Sequence, residues 1–244
     1  MTVPPEIVAL FGWNNGVPNF ADSSSAPSTA IAAGVLEQLS VTAEVEHVGQ
    51  TAGTMLEQAV AGHLASQLPA TMSPRRVRVD RLRRITEFRQ YAHLATLDAL
   101  IKSHPDPVLR VTMGGDYLIA PDVVVELFDD SGREPGYLHA AIPCKWTLRS
   151  DRAQNVRHEA VTMIRHRRGR LPHISPVTAE PLPTRLASLA GGTGEVDAVY
   201  HVALAELITA CQAAGNRRQI ESLEELVEAD RLRDLRQLVD DISI

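Results

Sequence analysis

Apolar positions recur at helical spacing from Gly53, where Met55, Leu56, Ala59, Val60 and Leu64 share one face, so an amphipathic helix is predicted over 53–68. Before it lie a short apolar start at 5–12 and a polar stretch from Asn14 to Ser28, rich in turn-forming Asn, Gly, Pro and Ser. The first forty residues are otherwise loosely specified. A second helical run over 81–102 carries Leu82, Ile85, Phe88, Leu94, Leu97 and Ile101 and stops at His104-Pro105-Asp106-Pro107. The period then shortens. Residues 108–111 and 122–128 are rich in β-branched side chains and predict strands, Asp129 to Gly132 predicts a turn, and the mostly apolar 137–146 predicts a strand buried in a central sheet. A helix follows over 151–166, with Ser150 as its expected N-cap and Asp151 at the positive end of its dipole. A strand at 196–202 and helices at 204–214 and 219–241 complete an α/β protein. Because no Pro/Gly/Ser tract divides the 244 residues, one domain is expected over 1–244.

Charge changes the picture once its distribution is considered. A net charge of −6 at pH 7 counts against a nucleic-acid partner, because phosphate binding needs local positive charge. Yet eight Lys and Arg lie between Lys145 and Arg170, against only Asp151 and Glu159. A second basic run holds Arg75, Arg76, Arg78, Arg81, Arg83 and Arg84, either a solvated helix face or a DNA arm. The negative sign comes from the acidic helical end at 219–244, whose last twenty-four residues carry eight acids against three arginines. No signal-peptide pattern occurs, and no stretch approaches the roughly 20 apolar residues that a membrane helix needs. A soluble cytoplasmic protein with no membrane partner is expected. Two cysteines, Cys144 and Cys211, cannot build a disulfide framework or a zinc site by themselves and should be free thiols.

Three positions suggest chemistry together: Asp122 after Pro121 at the start of a strand, Lys145 after Cys144 inside the next strand, and Glu159 fourteen residues further on the following helix. A carboxylate and a lysine on neighbouring strands can face one side, and a residue about two turns into the next helix can point back. Two hard carboxylates suit a magnesium ion, the cation that phosphodiester hydrolysis needs. In that scheme Asp122, the Cys144 backbone carbonyl and Glu159 hold metal, and Lys145 positions water or stabilises the phosphorane. Each residue also has a plain reading. Pro121-Asp122 is often a turn, Glu159 alone is a solvated helix charge, and Lys145 in an apolar run needs a carboxylate that a structural ion pair would supply. Arg149-Ser150-Asp151-Arg152 has a separate logic, since arginine donates twice to guanine and aspartate accepts from cytosine N4. Two such arginines and one aspartate, doubled by a two-fold dimer, would read CCGG. Gly191 to Gly194 lacks the Gly-Lys-Ser/Thr ending of a phosphate loop, and His158, His166 and His173 have no companion cysteines at zinc-finger spacing.

Asp122, Lys145 and Glu159 resemble the PD-(D/E)XK nuclease superfamily in the permuted form whose second acid has moved to the following helix, with Pro143 in the vacated place. Residues 144–155, Cys-Lys-Trp-Thr-Leu-Arg-Ser-Asp-Arg-Ala-Gln-Asn, resemble the NgoMIV branch of the CCGG-family type II restriction endonucleases. So do Glu180-Pro181-Leu182-Pro183-Thr184-Arg185, Gly192-Thr193-Gly194 and Val199-Tyr200-His201. The resemblance covers most of 45–210, the expected catalytic and recognition core. It implies a restriction-endonuclease-like fold, with a central mixed β-sheet flanked by helices. It also implies Glu57 as a further active-site acid, Arg185 and Asp22 on an outer G·C pair, and Gln50 in the minor groove. The implied activity is cleavage of double-stranded DNA at GCCGGC after the first G, with two Mg2+ ions per active site, a dimer-of-dimers homotetramer and a companion DNA methyltransferase. A non-cleaving DNA-binding protein, or a repair nuclease on the same scaffold, is the alternative.

Overall fold

Two prolines shape the sheet that carries the site. The computed structural model describes residues 3–42, 52–106, 108, 111–112 and 114–244. The first elements are α1 (Pro5–Val8), a small hairpin of β1 (Trp13–Asn14) and β2 (Val17–Pro18), α2 (Ala26–Gln38) and α3 (Ala52–Thr71). Then come β3 (Val77–Arg81), α4 (Ala92–Ser103), β4 (Val123–Leu127), β5 (Tyr137–Ile142), β6 (Cys144–Lys145) and α5 (Ser150–His166). β7 (His173–Ile174), β8 (Val177–Thr178), α6 (Pro183–Ala190), β9 (Val199–His201), α7 (Leu204–Ala214), α8 (Arg217–Glu228), β10 (Leu232–Asp234) and α9 (Leu238–Asp241) follow.

β3, β4 and β5 pair antiparallel, and β7 joins β5 in parallel. β6, β8, β9 and β10 form a parallel set. The two sets are one sheet interrupted at Pro143 and Pro176, because Ser175 N–H donates to Ala141 O at 3.1 Å and Val177 N–H to Pro143 O at 2.8 Å across the break. A proline cannot donate to a ladder, so the regular pairing breaks there while the neighbouring strands stay hydrogen-bonded on either side. This is the mixed central sheet expected, flanked by helices. Alternation along β4 divides the core: Val123, Val125 and Leu127 pack on one face with α2, α3 and α7, while Val124 faces Ile85, Phe88, Tyr91 and Leu94 on the other.

Several boundaries differ from expectation. The helix expected from residue 81 begins only at Ala92. Arg81 ends β3, and Leu82 takes a left-handed φ of 56° that turns the chain into two 3-10 turns. The basic run at 75–84 is therefore largely a strand rather than a helix face; β4 needed a partner, and pairing outweighed the helical spacing. Val108, Val111 and Thr112 are helical, not the strand expected at 108–111. The acidic end is not one helix over 219–241. α8 stops at Glu228, Asp230 adopts a φ of 56°, and β10 fills the parallel edge beside β9. Ser150 is the first residue of α5 rather than its cap; Arg149 holds the cap position and no side chain closes it. α2, β3, β10 and α6 were not anticipated. No helix among the described residues is long and apolar enough to cross a membrane, and both cysteines are buried and free.

Candidate active site

β4 begins one residue after Asp122, so the Asp122 carboxylate sits where the strand ladder runs out beside Pro143 and Cys144. There it substitutes for a backbone acceptor. Asp122 Oδ2 takes the Cys144 N–H at 2.7 Å and the Lys145 ammonium at 2.8 Å. In extended chain the N–H and C=O of one residue point to the same edge, so the Cys144 carbonyl faces the Asp122 side as well. Lys145 has the carboxylate partner that its apolar neighbourhood required, and both groups remain partly exposed.

Helix α5 delivers the next set. Ala153, Val156, Ala160 and Met163 form its buried stripe, which leaves Arg152, Asn155 and Glu159 on a second stripe. Asn155 Nδ2 donates to Glu159 Oε1 at 3.1 Å. Burial raises the Glu159 carboxyl above its ordinary value; the Lys145 ammonium and the Asn155 hydrogen bond pull it down, and the Asp122 charge pushes it up. Glu159 therefore shares an electrostatic field with Asp122 and Lys145. Glu57, on α3, lines a cleft with Lys145 but is held by Arg81 Nη2 at 2.6 Å. The Nε of Arg81 is buried and has no hydrogen-bond partner among the described residues.

Cys144, Lys145, Glu57, Arg149, Asp151 and Arg152 line one cleft of about 890 Å³. Arg149 and Asp151 are exposed, and among the described residues Arg152 makes long contacts of 3.3 Å to the Thr147 carbonyl and hydroxyl. A smaller recess, which also reaches Arg149 and Thr147, brings in Asp22 and Arg185. These two are 163 residues apart in sequence and form an ion pair. Hydrogen bonds from Ser24, and then from Arg185, hold the Asp22 carboxyl down at about 2. The loop bearing Asp22 is anchored by aromatic packing: Phe11 and Phe20 lie against Trp146, with ring centroids 5.0 and 6.0 Å away. Gln50 lies outside the described residues.

The donor set fits a hard cation, since Asp122, Glu159 and the Cys144 carbonyl all offer oxygen. Among the described residues no group of three or more His, Cys, Asp or Glu side chains is arranged to hold a metal; this set has two carboxylates and one carbonyl. His166 and His173 are engaged elsewhere, with the Thr162 carbonyl and with Asp197. Arg81, Asn155 and Glu180 had no role assigned from sequence. Glu180 carried a signal, as a carboxylate among Val177, Ala179 and Leu182; Arg81 read only as one member of the basic run, and Asn155 only as the last residue of the segment that carries the resemblance.

The chain matches the model of the NgoMIV restriction enzyme family over residues 5–132 and 127–244. It is 36% identical over 264 residues to the type II restriction enzyme NgoMIV of Neisseria gonorrhoeae, a match that covers 95% of this chain and 91% of that protein. It is also similar to the crystal structure of the type IIF restriction endonuclease Bse634I with cognate DNA, at 10% identity and a TM-score of 0.41, over 92% of this chain and 90% of that one. Since the family pattern runs through both halves and takes in the cleft residues of α3, β6 and α5, the chain belongs to the NgoMIV restriction enzyme family and is a type II site-specific deoxyribonuclease.

Proposed function

We propose that the protein makes Mg2+-dependent double-strand breaks at a palindromic CCGG-core site, cutting G/CCGGC to leave four-base 5′ overhangs. One observation carries this reading: the Asp122–Lys145 contact of 2.8 Å opens into the same cleft as Arg149, Asp151 and Arg152. Chemistry and base-reading groups thus lie within one helix start of each other.

Asp122, Glu159 and the Cys144 carbonyl would hold the metal, with two ions per active site. When bound, magnesium polarises the phosphoryl oxygen and lowers the pKa of an attacking water. Lys145, tethered by Asp122, presents its ammonium to the phosphate and offsets the charge that grows on it. Arg81 keeps the Glu57 carboxylate turned into the cleft. Arg149 and Arg152 donate to guanine O6 and N7, and Asp151 accepts from cytosine N4. Arg185 and Asp22 contact the outer G·C pair, and Gln50 probes the minor groove. A second copy reads the other half-site, and two such dimers form a homotetramer. The enzyme works in the cytoplasm beside a companion DNA methyltransferase that protects the host's own sites.

The test is incubation of purified protein with unmethylated plasmid bearing GCCGGC sites and Mg2+, followed by mapping of the ends. Discrete fragments with 5′-CCGG overhangs are expected. No cleavage, or ends at unrelated sequences, would sink the site assignment.

A further inference from the structure

Glu180 follows β8 by two residues, and its side chain is completely buried. A carboxylate in such a place is costly unless its oxygens are taken up. Here each oxygen accepts one backbone amide: Oε2 from Leu148 N–H at 2.7 Å and Oε1 from Leu182 N–H at 3.2 Å. Leu148 immediately precedes Arg149, and Leu182 holds the N-cap position of α6, the helix that carries Arg185. The Arg185 guanidinium approaches Oε1 only to 3.8 Å, because Arg185 is engaged by Asp22. The two amides are therefore the principal partners of Glu180. Only a carboxylate offers two acceptor oxygens with no donor, so an amide side chain of the same size would set an N–H against one of those amides.

We propose that Glu180 is a positioning residue for sequence specificity: it clasps the segment bearing Arg149, Asp151 and Arg152 to the segment bearing Arg185, so that inner and outer base pairs are read as one unit. Displacement of either segment then disturbs the other. Burial pushes the Glu180 carboxyl up to about 7, so it stands near the point where a proton would replace one acceptor by a donor. The charged groups facing it are Arg185 and Asp22, with the buried His201 ring against its backbone. Asp22 at about 2 and His201 at about 4 do not titrate near neutrality.

This inference rests on Arg149, Arg152 and Arg185 being base readers, and it is tested on whatever site the wild type cuts. A target other than GCCGGC would therefore overturn the site assignment and leave Glu180 untouched. Dissociation constants are measured with Ca2+ in place of Mg2+, for E180Q and wild type, on the mapped duplex and on duplexes changed at one inner or one outer base pair. E180Q is expected to lose about tenfold or more of the discrimination at both positions, with non-specific affinity little changed. Unchanged ratios, a loss at one position only, or an equal loss on every duplex accompanied by a fall in Tm would each overturn the proposal. Should E180Q fail to fold, the wild type decides. Its discrimination should be weaker at pH 6 than at pH 8 for inner and outer pairs alike, and flat ratios across that range would refute the clasp.

Discussion

Asp122 has two duties that pull in different directions. Its Oδ2 closes the backbone at Cys144 and balances Lys145, and the same carboxylate is the proposed metal ligand. Asp122→Ala should abolish cleavage, by at least about a hundredfold given the several kcal/mol of charge stabilisation at stake, while binding supported by Ca2+ persists. Removing the carboxylate also strands a buried amide, so unfolding should become easier by about 1–3 kcal/mol. Turnover at the wild-type rate would refute the assignment. Lys145 was legible because an ammonium within an apolar run demands a partner. Glu159 and Glu57 were not distinctive alone, and resemblance rather than chemistry singled out Glu57. Arg81, which now holds Glu57, could not have been found by spacing, since nothing in residues 57 and 81 announces that α3 and β3 lie side by side.

Elements with one dominant period were legible. The helix expected at 53–68 is α3, the one at 204–214 is α7, and the strand at 137–146 is β5 and β6 broken at Pro143. Elements that serve an edge were not: β3 and β10 exist because β4 and β9 had unpaired edges. From β10 onward the leucines at 232, 235 and 238 fit helical spacing equally well. Helix α2 escaped notice because its face is small, and that smallness has a use. A Cβ on Gly34 would meet the Ala210 Cβ at 2.9 Å and its Cα at 3.3 Å, so α2 and α7 cross with backbones nearly touching. Gly34→Val should lower the stability to denaturant by about 1–3 kcal/mol through overpacking. An unchanged midpoint would mean that the crossing yields without cost.

At the scale of the whole molecule, a protein of net charge −6 must bind a polyanion through local charge. The acids of α8 and α9 offset the basic residues in the total, and none of them lines the cleft that holds Lys145, Arg149 and Arg152. Binding to the cognate duplex in Ca2+ should therefore weaken steeply between about 50 and 200 mM salt, as release of counterions from several phosphates requires. A flat salt response, followed by filter binding, would count against the Arg149–Arg152 cleft as the contact surface. The sequence by itself determined the candidate chemistry: oxygen donors at Asp122 and Glu159 of the type that suits a hard cation, arginines and an aspartate at 149–152 of the types proposed to read guanine and cytosine, and their spacing along the chain, because side-chain identity and spacing along an element are local properties. The tertiary structure alone decided what meets across distance. Asp22 reaches Arg185 because Phe11 and Phe20 pack on Trp146, Arg81 reaches Glu57 because β3 fills an edge, and Glu180 reaches the Leu148 and Leu182 amides because β8 pairs with β6. Such contacts depend on burial and strand pairing among residues far apart in the chain, which no local pattern encodes.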